Sequence, residues 1–219
     1  MADVPPGANS PQQGFLLNEP PQQVRGTPLT AGQAAFMQTR CEYWQSQLLD
    51  KSFRIRHLLA ALAANKCAFN PKTDIKFETC APNFGGGYGP AYGMVLCSNT
   101  LHEKQLVEDA ITHELVHVYD YCTKPRGEAG MDVYQHACTE IRAASLSGDC
   151  KWTREVKRLG HRVGFSGVFE RCVRRRATAA VQRHPDCRDE EHAREVVDTV
   201  YTKCVEDIDP FTADQLRFN

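Results

Sequence analysis

His113, Glu114 and His117 stand in the pattern H-E-x-x-H inside the stretch EDAITHELVHVYDYC, Glu108 to Cys122. On a helix, residues i and i+4 lie one above the other on the same face, so the two imidazoles can reach a single ion. Glu114 then sits about 100° around from His113, close enough to act on a water without being a ligand itself. These residue types suit hydrolysis of an amide. Zinc lowers the pKa of its water to about 7, and a carboxylate takes the proton as the carbonyl is attacked. The competing reading is two histidines one helical turn apart by chance, and the apolar residues on both sides weigh against it.

A catalytic zinc takes three protein ligands and keeps one position open, so a third ligand is needed. The stretch YQHACTEIRAASLSGDC offers His136 and Glu140, again at i and i+4 on one helix face. Glu140 follows His117 by 23 residues, a distance that suits a glutamate on the next helix completing the site. Glu140 is the preferred ligand, and His136 is the alternative, a neighbour of the metal if not a ligand. The bland reading leaves Glu140 as a solvated charge. Asp120, three positions after His117, is either the carboxylate that orients a metal-ligating imidazole or a charge on the helix surface.

The elements that must position these residues read as α+β: a small sheet, an active-site helix and a mainly helical C-terminal half. Apolar residues recur at three- and four-residue steps over Gln33 to Asp50 and Phe53 to Asn65, which predicts two helices. Asp74 to Cys80 alternates like a half-buried strand, and Gly93 to Ser98 reads as a second strand. The second strand could offer an edge to an extended substrate, or could lie in the interior. Between them, APNFGGGYGPAY lacks the Lys-Ser or Lys-Thr ending of a phosphate-binding loop and reads as a turn. Helices are predicted over about Glu103 to Tyr121, Asp132 to Leu146, Trp152 to Leu159, Val168 to Gln182 and Glu190 to Glu206. Pro125, Gly127 and Gly130 mark the turn that folds the Asp132 helix back on the one before it.

At 219 residues the chain suits one catalytic domain, 33–219, behind a Pro/Gln-rich disordered arm, 1–32. The arm has neither the Arg-rich pattern of a mitochondrial presequence nor the apolar core of a secretory signal. The longest apolar run, Leu58 to Ala64, is far below the roughly 18 residues of a membrane-spanning helix, so membrane contact would be peripheral. The ten cysteines are dispersed and never spaced C-x-x-C. That spacing argues against a zinc ribbon and suits a disulfide framework in an oxidising compartment, with buried reduced thiols as the alternative. Between Lys151 and Arg188 there are 11 Lys or Arg against 3 Asp or Glu. Arg174, Arg175 and Arg176 could hold anionic lipid, or could pair with the acidic remainder of the chain.

The pattern HELVHVYD, with HACTEIRAASLSGDC, GMVLCSN, CVRRRA and the closing DPF, resembles the family of mitochondrial inner membrane metalloproteases that mature subunit 6 of ATP synthase. The similarity runs from about Cys41 to Phe211. It implies a zincin-like zinc endopeptidase that removes the propeptide of the subunit 6 precursor and separately aids assembly of the membrane sector of ATP synthase. It also implies a peripheral position on the intermembrane-space side of the inner membrane, next to anionic lipid and inner-membrane partner proteins, with import through a disulfide relay. Carried over by position, His113 and His117 bind zinc and Glu114 is the catalytic acid and base. Two rivals are a non-proteolytic assembly chaperone that retains the zinc site and a DNA-associated, protein-digesting metalloprotease. The run RRRATAAVQR has no interleaved aromatic residues, which speaks against a nucleic-acid partner.

Overall fold

A computed structural model describes residues 29–80, 85–124, 131–159 and 166–217. Two helices open the described chain, α1 (Ala31–Lys51) and α2 (Phe53–Ala64), followed by β1 (Ile75–Glu78), β2 (Gly86–Gly89) and β3 (Gly93–Cys97). Then come α3 (Lys104–Thr123), α4 (Val133–Leu146), α5 (Trp152–Leu159), α6 (Val168–Val181), α7 (Glu190–Glu206) and α8 (Ala213–Arg217). The architecture is α+β, as the periodicities predict.

Side-chain caps set several helix starts. Thr30 and Gln33 form a capping box, so α1 begins two residues before the predicted start and takes in the last residues of the expected arm; residues 1–28 lie outside the described residues. Ser52 ends α1 and caps α2 by accepting from the Ile55 N–H, while its own hydroxyl donates to Glu108 at 2.6 Å. Asp132 and Gln135 form a second capping box that starts α4, the helix that carries Glu140. Most of the predicted turn before it, at 125–130, lies outside the described residues.

The sheet has the order β1-β3-β2, with β1 and β3 parallel and β2 antiparallel to β3. GMVLC is therefore the central strand, with Met94 through Cys97 buried. The interior reading of that segment holds and the edge reading does not. The correction concerns the glycine run: residues 86–89 are not a turn but an edge strand. A Cβ on Gly86 would lie 2.7 Å from Leu96 Cδ2 and 2.8 Å from the Val95 carbonyl oxygen. Here glycine allows two backbones to approach closely, which composition alone reads as a loop.

Two apolar clusters fill the interior. The first joins α1, α2, the sheet and α3 through residues such as Ile55, Leu58, Leu96, Ile111 and Leu115. The second joins α4, α6 and α7 through Ile141, Val173, Ala177 and Val197. Helix α4 serves both, giving Ala143 and Leu146 to the first and Ala137, Ile141 and Ala144 to the second. Its buried apolar residues thus have partners on either side, which fixes its rotation about its own axis.

Four disulfides reinforce this arrangement: Cys67–Cys122, Cys80–Cys97, Cys138–Cys204 and Cys150–Cys172. They tie the α2–β1 connection to α3, the segment after β1 to β3, α4 to α7, and the α4–α5 connection to α6. Cys41 and Cys187 are free thiols. The arginine triplet has acidic partners: Arg174 with Glu170 and Asp198, Arg175 with Glu155, and Arg176 with Asp149. Arg174 also lies 3.8 Å over the Tyr201 ring. Among the described residues no helix is long and apolar enough to cross a membrane.

Candidate metal centre

Helix α3 presents His113 and His117 one turn apart, their ring centroids 4.9 Å from each other. Glu140 reaches across from α4. Its Oε2 lies 3.7 Å from His113 Nε2 and its Oε1 lies 3.5 Å from His117 Nε2. One donor atom from each of the three falls within 4.8 Å of the others. In a tetrahedral site with bonds near 2.0–2.2 Å, ligand atoms stand about 3.3–3.6 Å apart. The observed spacing fits donors that converge on one ion.

The electrostatics agree with that donor set. Burial pushes the His117 imidazole down to about 4, leaving it neutral with a lone pair to give. Burial also penalises the Glu140 carboxylate, but His117, His113 and His136 outweigh it and hold Glu140 well below the usual range. For His113 burial works downward, and the carboxylates of Glu140 and Glu114 overcome it. Three half-buried side chains of this kind, converging from two helices, make a ready site for a divalent metal.

His136 is not one of the converging donors. Its Nε2 stands 4.0 Å from Glu140 Oε1, and its ring lies beside His184 with centroids 5.4 Å apart. Burial lowers its pKa, so a neutral imidazole flanks the glutamate. Glu114, adjacent to the donors, is buried, and burial pushes its carboxyl up to about 7 against the opposing pull of His113. The backbone N–H of Tyr88, on β2, donates to it, and the Arg176 charge acts on it and on His113. A carboxyl with a pKa near neutrality is matched to moving protons in either direction.

Residues 39–212 match the Peptidase M76 family. The chain belongs to the Peptidase M76 family. Among curated relatives it is similar to the mitochondrial inner membrane protease ATP23 of Malassezia globosa, 35% identical over 198 residues, which span 82% of this chain and 78% of that one. The protein of the same name from Schizosaccharomyces pombe is 39% identical over 172 residues, 78% of this chain and 90% of that one. The one from Lodderomyces elongisporus is 44% identical over 142 residues, 64% of this chain and 57% of that one. No solved structure matches the chain.

In this M76 peptidase the support around the donors differs in detail from the expected one. Asp120 does not bond an imidazole directly. The Thr139 hydroxyl stands between them, 3.0 Å from His117 Nδ1 and 3.0 Å from Asp120 Oδ2. Sequence reasoning missed Thr139 because nothing in the spacing distinguishes it from any other helical threonine. It also missed Arg176, which counts in sequence as one of three consecutive basic residues on a helix. Arg176 is the member of the triplet whose charge reaches His113 and Glu114, a selection made by the way α6 packs against α4.

Proposed function

We propose that this M76 peptidase is a zinc-dependent endopeptidase in which His113, His117 and Glu140 hold the ion and Glu114 moves the protons. The observation that carries the reading is the convergence of two histidines from α3 and one glutamate from α4 within 4.8 Å, with a second, buried glutamate beside them. Zinc bound there supplies Lewis acidity toward a carbonyl and a water. Glu114 accepts a proton on its carboxylate as water attacks the scissile carbonyl, then returns it to the departing amide nitrogen. Its adjacency to His113 keeps it next to the donors, and the Tyr88 N–H limits the directions its carboxylate can take.

The sheet supports peptide binding at the same place. Strand β2 lies at the sheet edge and contacts α3, with Tyr88 and Tyr121 meeting edge to face at 5.9 Å between ring centroids. An extended segment added along that edge runs next to Glu114. In this reading the substrate is the precursor of ATP synthase subunit 6, whose N-terminal propeptide is removed, and the protein separately aids assembly of the membrane sector. The enzyme works peripherally on the intermembrane-space side of the inner membrane, in contact with anionic lipid and membrane partner proteins. The relatives' names support the membrane, and four disulfides suit an oxidising compartment.

The test is cleavage of the subunit 6 precursor by purified protein beside Glu114→Gln, with zinc measured in both. Processing by the native protein, and none by a variant that keeps its zinc, supports the reading. A native protein that holds zinc and cuts nothing would sink the peptidase part and leave assembly as the activity to pursue.

A further inference from the structure

Behind His117 a chain of buried polar groups runs from the metal donors to the C-terminal part of the fold. His117 Nδ1 meets Thr139 Oγ1, and Thr139 donates to Asp120 Oδ2. Arg142 Nε donates to both oxygens of Asp120, at 2.9 and 3.2 Å. The same guanidinium, only 1% exposed as a residue, donates to the backbone carbonyls of Asp207 and Asp209 and pairs with the Asp207 carboxylate. The segment 207–211 is itself tied down. Tyr119 donates to Asp209 Oδ2 at 2.7 Å, Lys124 donates to Asp207 Oδ2 at 2.9 Å, and Phe211 is buried against the His57 ring.

The proton inventory of this chain permits one arrangement. Arginine only donates, and it directs a donor at both oxygens of Asp120, so that carboxylate serves as an acceptor. Burial raises the Asp120 pKa on balance, against the lowering contacts from Arg142 and Thr139, so it is the donor geometry of the guanidinium that marks Asp120 as the acceptor. A hydroxyl has one proton, and Thr139 gives its proton to Asp120. What Thr139 offers His117 is therefore a lone pair, so the His117 proton must be on Nδ1. Nε2 is then bare, and it is the nitrogen that faces Glu140.

We propose that Thr139 is a positioning residue for the metal: its hydroxyl passes the Asp120–Arg142 clamp, anchored on the C-terminal turn, to Nδ1 of His117 and fixes that ring as an Nε2 donor. The inference rests on the metal-centre reading above. It adds that the orientation of His117 depends on a threonine hydroxyl and on residues 207–209, none of which is among the converging donors. Outer partners of this type typically change metal affinity about 10–100-fold when removed.

The experiment measures zinc affinity by chelator competition on the oxidised full-length chain, for the native protein, Thr139→Val and Thr139→Ser. Valine keeps the shape and removes the hydroxyl; serine keeps the hydroxyl. The expected result is an affinity loss of about 10–100-fold for valine and recovery to within about threefold for serine. Equal loss in both variants would assign Thr139 to packing alone, and native affinity in valine would overturn the relay. A second readout needs no substitution: nitrogen-detected histidine spectra of the native, metal-free protein. They are expected to show His117 as the Nδ1–H tautomer, and an Nε2–H tautomer would overturn the proposal even if Thr139→Val did not fold. If the native protein failed to bind zinc at all, the metal-centre reading itself would fall, an outcome distinct from native-like binding by the valine variant.

Discussion

At the scale of single residues, the proposed function divides the site into groups that would hold an ion and a group that would act on the substrate, and substitutions separate them. Glu140→Ala removes one of three converging donors and leaves two histidines on one helix. Zinc stoichiometry after dialysis is expected to fall well below one, while Glu114→Gln keeps its zinc; a full complement in Glu140→Ala would remove Glu140 from the ligand set. The Arg176 charge bears on His113 and Glu114. Positive charge in a site where negative charge develops stabilises it, and loss of a direct donor typically costs about 100–1,000-fold. Arg176→Gln is expected to lower kcat about 10–100-fold with zinc content unchanged. Because Arg176 also pairs with Asp149, the thermal midpoint of the variant measured alongside would expose a purely structural effect.

At the scale of elements, two devices hold α5, α6 and β2 where the site needs them. Glu155, on α5, is buried and accepts two hydrogen bonds from Arg175 on α6, each 3.0 Å, and one from Arg158. Burial works to raise its pKa, and the arginines, Arg175 first, outweigh it and hold the carboxyl below the ordinary range. A depressed folded pKa contributes stability that is present above the unfolded value of about 4.5 and is lost as pH falls through the folded value. Glu155→Gln is expected to flatten the stability profile below about pH 4.5 and cost roughly 1–3 kcal/mol at neutral pH. Urea midpoints measured from pH 3 to pH 7 check both parts. Strand β2 depends on the missing side chain of Gly86. In Gly86→Ala the new methyl meets a backbone carbonyl at 2.8 Å. The edge strand must shift away from β3, with a loss of roughly 1–3 kcal/mol and weaker cleavage, because Tyr88 moves with it.

For the whole molecule, the disulfides decide how firmly the two apolar clusters are held around a shared helix. Cys138 precedes Glu140 by two residues on α4, and its partner Cys204 is 66 residues away on α7. Closing a loop of that length is worth about 4 kcal/mol in the chain-entropy model. Replacing both cysteines by serine is expected to lower the melting midpoint by roughly 10 °C, with zinc retention falling as α4 loses its anchor. Calorimetry of the oxidised variant beside the native protein measures the first, and metal content after dialysis the second.

The local part of this protein was legible in its sequence. Helix spans, strands β1 and β3 and the H-E-x-x-H pattern depend on i to i+4 periodicity, alternation and capping residues, all of which act between near neighbours along the chain. The presence of a disulfide framework could be expected from ten dispersed cysteines, but its pairing could not, because proximity of Cys138 to Cys204 is a property of how α4 packs on α7. The same holds for the choice between Glu140 and His136. Both stand on one face of α4, and only the rotation of that helix, fixed by apolar clusters on either side, brings the carboxylate to within 3.7 Å of both imidazoles. The glycine strand was hidden because glycine marks both turns and close backbone approaches. The route from His117 through Thr139, Asp120 and Arg142 to Asp207 was hidden because each bond joins elements distant in sequence. Tertiary packing alone sets those distances, and with them which polar groups must share a proton.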